Sequence, residues 1–202
     1  MQQLSLTTAM TKELEAIYAA LQSEYERLAT ALQFTCEGCP DNCCDSYFLH
    51  HTYIEWAYFW QGIETLAENE RAQLIQRARI YQKEAAMAQA RGERPQLMCP
   101  VNVDGLCLLY RHRLLVCRTH GVPAMLRWPD GRRAHFPGCF RCQDIVQQRA
   151  DLPIRPVDRS QMLQRLACLE NAFLENQRPL YPKLRHTIAE MILKGPPSML
   201  RG

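Results

Sequence analysis

The sequence predicts a mainly α protein in which N- and C-terminal helices surround a cysteine-rich irregular centre with small β-hairpins. Three observations lead there. Apolar residues recur at three- and four-residue spacing near both ends of the chain, two Asp-Gly turns divide short β-prone runs in the middle, and most of the ten cysteines fall in that middle. The 202 residues, 47% hydrophobic and 22% charged, have an ordinary globular composition and are enough to bury a core without disulfides. A single domain spanning 1–202 is expected, with a cysteine-rich core at about 34–142 and a C-terminal helical extension at about 158–195.

From Thr8 to about Gln33, Met10, Leu14, Ile17, Tyr18, Leu21, Tyr25, Leu28 and Leu32 form one stripe of an amphipathic helix. The stripe packs on other helices of the chain or forms a dimer seam, so a monomer or a dimer through helices is expected. Thr52, followed by Glu55, predicts a capping box for a helix carrying Trp56, Phe59 and Trp60. The next helix should run from about Ala67 to Arg91 and stop at Gly92 and Pro95.

Asp104-Gly105 between Val101–Val103 and Leu106–Leu109 predicts a tight hairpin. Pro129-Asp130-Gly131 predicts another between Ala124–Trp128 and Arg132–Phe136. Asp151–Val157, with Pro153 and Pro156, reads as a rigid connector. Ser160 then caps a helix with Met162, Leu166, Leu169 and Phe173 on one face, and a last helix carries Leu184, Ile188, Met191 and Ile192 up to Gly195-Pro196-Pro197.

No run of about 18 apolar residues and no basic, apolar leader pattern is present, so a cytoplasmic protein with no membrane association is expected. Cysteines grouped in close clusters then point to metal or redox chemistry rather than to a disulfide framework. Cys36, Cys39, Cys43 and Cys44 form a C-x2-C-x3-C-C knuckle punctuated by Gly38 and Pro40. Adjacent side chains diverge, so Cys43 and Cys44 suit two neighbouring metals better than one. Cys99-Pro100, Cys107, Cys117-Arg118 and a second C-x2-C, Cys139 with Cys142, supply further thiols, while isolated Cys168 is expected in the core. Nine cysteines are therefore candidate ligands, and eight of them would fill two four-coordinate sites.

The segments FTCEGCPDNCC and CPVNVDGLCLLYRHRLLVCR resemble the YkgJ-type cysteine cluster family. That family's domain is described as zinc- or iron-chelating and is related to flagellin lysine N-methylases. The resemblance spans Phe34 to Cys142, through the knuckle, Cys99-Pro, Cys107 with Tyr110, and Cys117-Arg118. Leu114 stands after Arg113 where the family commonly has Arg-Pro, a departure that removes no ligand. The resemblance implies zinc or iron.

Thiolate donors suit zinc or an iron–sulfur cluster and disfavour magnesium or calcium. Cys-Pro pairs at Cys39 and Cys99 favour the cluster, since such pairs end ligand runs in ferredoxin-type motifs. The expected function is a metal-binding protein, holding an iron–sulfur centre for electron transfer or accessory redox or modification chemistry, or else a structural zinc interaction module with a protein partner. A thiol redox switch without metal is a third class. The C-x3-C-x2-C spacing of radical-SAM enzymes and a Gly-rich nucleotide loop are both missing, so the sequence names no catalytic residue.

His50, His51 and His120 lie near thiols and could ligate, His120 best placed in Cys117-Arg-Thr-His120; ordinary hydrogen-bonded histidines are the simpler reading. Basic residues are 20 Arg against 4 Lys, and Arg111, Arg113, Arg118, Arg127, Arg132, Arg133 and Arg141 crowd the centre. Arg118 is the expected cofactor-binding residue, a guanidinium beside a ligand that hydrogen-bonds sulfur. A nucleic-acid face on Arg127, Trp128, Arg132 and Arg133 is disfavoured by the formal charge of +3. Four thiolates around zinc or an oxidised four-iron core carry about −2, so two loaded sites would bring that charge to about −1.

Overall fold

The computed structural model describes residues 3–37, 43–149 and 153–198. It is mainly α, with two small sheets near the cysteines. Helix α1 spans Thr8–Ala31 and is capped by Thr7, whose hydroxyl accepts from Met10 N at 3.2 Å. Its buried Leu14, Ile17, Tyr18, Leu21 and Leu28 face α4, Leu115–Thr119, and α6, Ser160–Phe173, so the stripe is covered within the chain.

Helix α2, Tyr53–Glu64, is buried almost all round, from Tyr53 and Ile54 through Phe59 to Ile63, and forms the centre of the main core. The expected capping box at Thr52 is not formed. Glu55 turns inward, accepting from Tyr18 Oη at 3.0 Å and Leu115 N at 2.8 Å, while Thr52 Oγ1 donates to it at 2.7 Å. The first N–H groups of α2 are met instead by Glu170 of α6, which accepts from Tyr53 N and Ile54 N, both at 2.9 Å. Helix α3, Glu68–Ala90, ends at Gly92 in the left-handed region, as expected. It packs on α7, Ile188–Lys194.

Strands β1, Asn102–Val103, and β2, Leu106–Cys107, make the first hairpin, with Asp104 and Gly105 both at positive φ. Strands β3, Ala124–Arg127, and β4, Arg133–Phe136, make the second. The connector expected from Asp151 lies partly outside the described residues, and its end is a strand. In β5, Val157–Asp158, Val157 pairs in parallel with Ala124, burying a β-branched side chain between α1 and the sheet. Helix α5, Phe140–Gln148, follows β4.

Ser160 is the first residue of α6 rather than its cap. Asp158 Oδ1 accepts from both Ser160 N and Ser160 Oγ, and Ser160 Oγ accepts from Arg127 N. Leu184 precedes α7, whose start is set by Thr187 and Glu190 capping each other. Cys168, expected in the core, is exposed on the outer face of α6. The helices after Ser160 share one core with α1–α3 through Leu166, Phe173, Leu184 and Met191. A second, smaller core of Leu28, Leu32, Phe34, Val122, Cys142 and Val157 lies beneath the β3–β4 sheet. Among the described residues no helix is long and apolar enough to cross a membrane.

Candidate metal centre

Two chain segments meet where Cys99 N donates to Cys44 O at 2.9 Å and Leu97 N donates to Asp45 O at 3.2 Å. This contact sets the end of the knuckle beside the Cys-Pro segment, itself held to α3 by Arg77 Nε donating to Pro100 O at 2.7 Å. Asn102 N donates back to Cys99 O, and the β1–β2 register places Cys107 opposite Asn102. Cys117 enters from α4, whose first turn is anchored by the buried Glu55 carboxylate. Cys44, Cys99, Cys107 and Cys117 thus form a first thiol set, each in electrostatic reach of the others.

Cys43 starts the short 3₁₀ turn Cys43–Asp45 and is in electrostatic reach of Cys36 and Cys139 as well as of its neighbour Cys44. Cys36 follows α1 after a left-handed turn at Gln33 and lies beside the Tyr25 hydroxyl. Cys139 precedes α5, and its N–H donates to Gly121 O at 2.9 Å. Cys142, one helical turn on, completes a second set through Cys36 and Cys139. Of the two adjacent cysteines of the knuckle, Cys44 lines the first cavity and Cys43 lines both. Cys39 lies outside the described residues.

Each set borders a cavity. The first has a volume of about 200 Å³ and is lined by Cys44, Cys99, Cys107 and Cys117 with apolar walls from Phe48, Phe59 and Leu114. The second is walled by Cys36, Cys43, Cys139 and His120 beside Phe34 and Phe140. Cys43, Ser46, Gly105 and His120 line both cavities and form the partition between them.

Burial, reinforced by neighbouring thiols, raises Cys43, Cys99, Cys107, Cys117 and Cys142 above the ordinary thiol range. Cys99 is raised strongly, Cys117 is pushed up to about 12, and Cys107 is raised while the Arg113 and Arg118 charges oppose the rise. Cys43 and Cys142 are each pushed up to about 11. Such thiols stay protonated at neutral pH, and a bound cation is the partner that would let them ionise. As placed, no three His, Cys, Asp or Glu side chains among the described residues stand close enough to hold an ion, so coordination requires side-chain rotation. The donor chemistry fits a thiophilic metal: apolar walls and clustered thiols, with hard carboxylate donors few.

Arg118 is a clamp as well as a charge. Its Nε donates to Arg113 O at 2.7 Å and its Nη2 to Arg111 O at 2.5 Å, with the guanidinium over the Tyr18 ring. Arg113 lines the first cavity itself, stacked on Tyr110 at 3.7 Å, and lowers Cys107 and Cys117. Its position two residues before the helix gave no signal beyond its charge. Tyr25, read as part of the apolar stripe, touches Cys36, and Tyr81 of α3 faces Cys99, whose proximity adds to burial in raising it to about 12.

The histidines take different places. His50, 4% exposed, pairs through its backbone with His186, lines the first cavity and is lowered to about 3 by burial and by His51. His51 Nδ1 lies 3.0 Å from Leu184 O, a contact in which the ring N–H donates. His112 sits over Gly62 and tilts against Tyr58, away from the thiols. His120 alone of the six lines both cavities, among the described residues. Comparison of the chain with protein-family models, curated proteins and solved structures finds no match.

Proposed function

We propose that this chain is a metal-binding protein whose first thiol set, Cys44, Cys99, Cys107 and Cys117, holds an iron–sulfur centre, and whose second set, around Cys36, Cys43 and Cys139, holds a second metal. The observation that carries the reading is the sorting of cysteines from distant parts of the sequence into two neighbouring sets, each at a cavity. Four thiols at one apolar-walled cavity match the four cysteine ligands that hold an iron–sulfur cluster. The resemblance of Phe34–Cys142 to the YkgJ-type family supports the same reading, and we propose membership on those residues.

When bound, an iron–sulfur centre supplies one-electron transfer. The chain's own residues set the conditions for it. Phe48, Phe59 and Leu114 keep water from the first set, and Arg113 and Arg118 bring positive charge to Cys107. The arginine charges favour the more reduced, more negative state and offset the opposing effect of the apolar, water-poor walls. Electron transfer to or from a protein partner in a reducing compartment such as the cytoplasm is the role this arrangement serves best.

Anaerobic purification followed by an absorption spectrum and sulfide assay tests the proposal. Brown protein with a broad band near about 400 nm and inorganic sulfide is the expected result. Colourless protein with stoichiometric zinc and no sulfide would overturn the iron reading and leave a structural zinc module closed by four thiolates.

A further inference from the structure

The second thiol set has three cysteines on its cavity and one behind it. Cys36, Cys43 and Cys139 line the cavity wall together with His120. Cys142, although it completes the C-x2-C spacing, is 0% exposed and packs among Leu28, Phe34, Val122 and Val157 in the smaller core. Those surroundings are what a cysteine acting as a small hydrophobe occupies.

His120, which lines the same cavity, is fixed through its backbone. Its N–H donates to Val116 O, and the residue after it, Gly121, receives the N–H of Cys139 on its carbonyl at 2.9 Å. Gly138 lies so close to that carbonyl that a Cβ there would stand 2.4 Å from it, so the two segments bearing His120 and Cys139 run in backbone contact. The imidazole stands edge-on to Phe48 at 5.0 Å, and among the described residues neither ring nitrogen has a hydrogen-bond partner.

We infer that the second centre is a Cys3His site for zinc or ferrous iron, in which Cys36, Cys43, Cys139 and His120 are the four donors and Cys142 is a core residue. The inference rests on the metal-binding reading above and replaces its all-thiolate expectation for this set. Three thiolates and one imidazole are an established tetrahedral donor combination. His120 and Cys43 also belong to the wall shared with the first cavity, so this site adjoins the first centre.

Co²⁺ loading of the full chain under anaerobic conditions tests it, with cobalt bands reporting stoichiometry and donors. The wild-type chain should bind two equivalents. His120→Ala should keep one and bind the other about 100-fold more weakly, the order expected for loss of a site's ligand or close support. Cys142→Ala should keep both within about 3-fold. Pulsed EPR of the wild-type chain labelled with 15N-histidine should show one directly coordinated imidazole, a reading that stands even if His120→Ala misfolds. Retention of both ions by folded His120→Ala, release of the second ion by Cys142→Ala instead, or absence of nitrogen coupling overturns the inference while leaving metal binding intact. A single bound equivalent overturns it too. A wild-type chain that binds no cobalt would defeat the metal-binding reading itself, and this inference with it.

Discussion

Glu170 shows how much one buried side chain can hold. Its carboxylate, 4% exposed, meets two N–H groups at the start of α2 that have no partner within the helix, with Arg178 Nε at 3.6 Å. Glu170→Ala should cost about 2–4 kcal/mol, the usual result of leaving two buried donors unmet. Glu170→Gln, whose oxygen can accept from one N–H while its NH2 faces the other, should lose roughly half as much; urea denaturation measures both. His50 gives a pH dependence of defined sign. Its folded value is lowered to about 3, whereas an unfolded histidine titrates near about 6.5, so the unfolded chain takes up a proton between those limits that the folded chain does not. Stability from this residue is present above about 6.5 and is lost on acidification, by up to about 1.4 kcal/mol per pH unit. The urea midpoint of His50→Gln, followed from about pH 6 to about pH 4, should fall less steeply than wild type by one proton equivalent; equal slopes would contradict it. At this scale the sequence was informative about residue type and poor on partners. Thr52 and Glu55 had the spacing of a capping box, but Tyr18 and Leu115, distant in sequence, compete for the carboxylate and win.

Among the elements, the helices were legible because their stripes and stops are local. α1, α3 and both hairpins begin and end close to where periodicity, Gly92 and the Asp-Gly turns put them. β5 was not legible, since a two-residue strand is defined by its partner, here β3, rather than by its own pattern. The late start of α7 follows from the same cause: Leu184 has the right spacing for the helix, yet Thr187 and Glu190 fix the cap beyond it. The contact between the β3 segment and α5 has its own test. Gly138 has φ +91°, and an added Cβ would meet Gly121 O at 2.4 Å, a backbone atom that has no flexible end to yield. Gly138→Ala should therefore cost about 3 kcal/mol or more, from positive-φ strain plus the clash. It should weaken the second metal site, where Cys139 and His120 are held by this contact, before it disturbs the first; thermal denaturation with and without metal separates the two effects.

Over the whole molecule, the cysteines are organised by the fold in a way that spacing alone did not reveal. The knuckle and the C-x2-C of Cys139 and Cys142 offered candidate ligands, and the diverging side chains of Cys43 and Cys44 suggested two neighbouring sites. Which later thiols joined which destination depends on tertiary contacts: Cys99 N on Cys44 O for the first set, Cys139 N on Gly121 O for the second. Arg113 and Arg118 lie beside the first set, where their charge lowers Cys107, while Arg127 and Arg133, weighed for nucleic acid, pair across the second hairpin. The central claim is that two separate metal centres share one partition but not their ligands. Metal analysis of anaerobically purified wild type, Cys117→Ser and Cys139→Ser tests this most directly. Each substitution should remove the metal of one centre and leave that of the other, so that the two losses sum to the wild-type content. Loss of all metal from either variant, or of none from both, would contradict two independent centres.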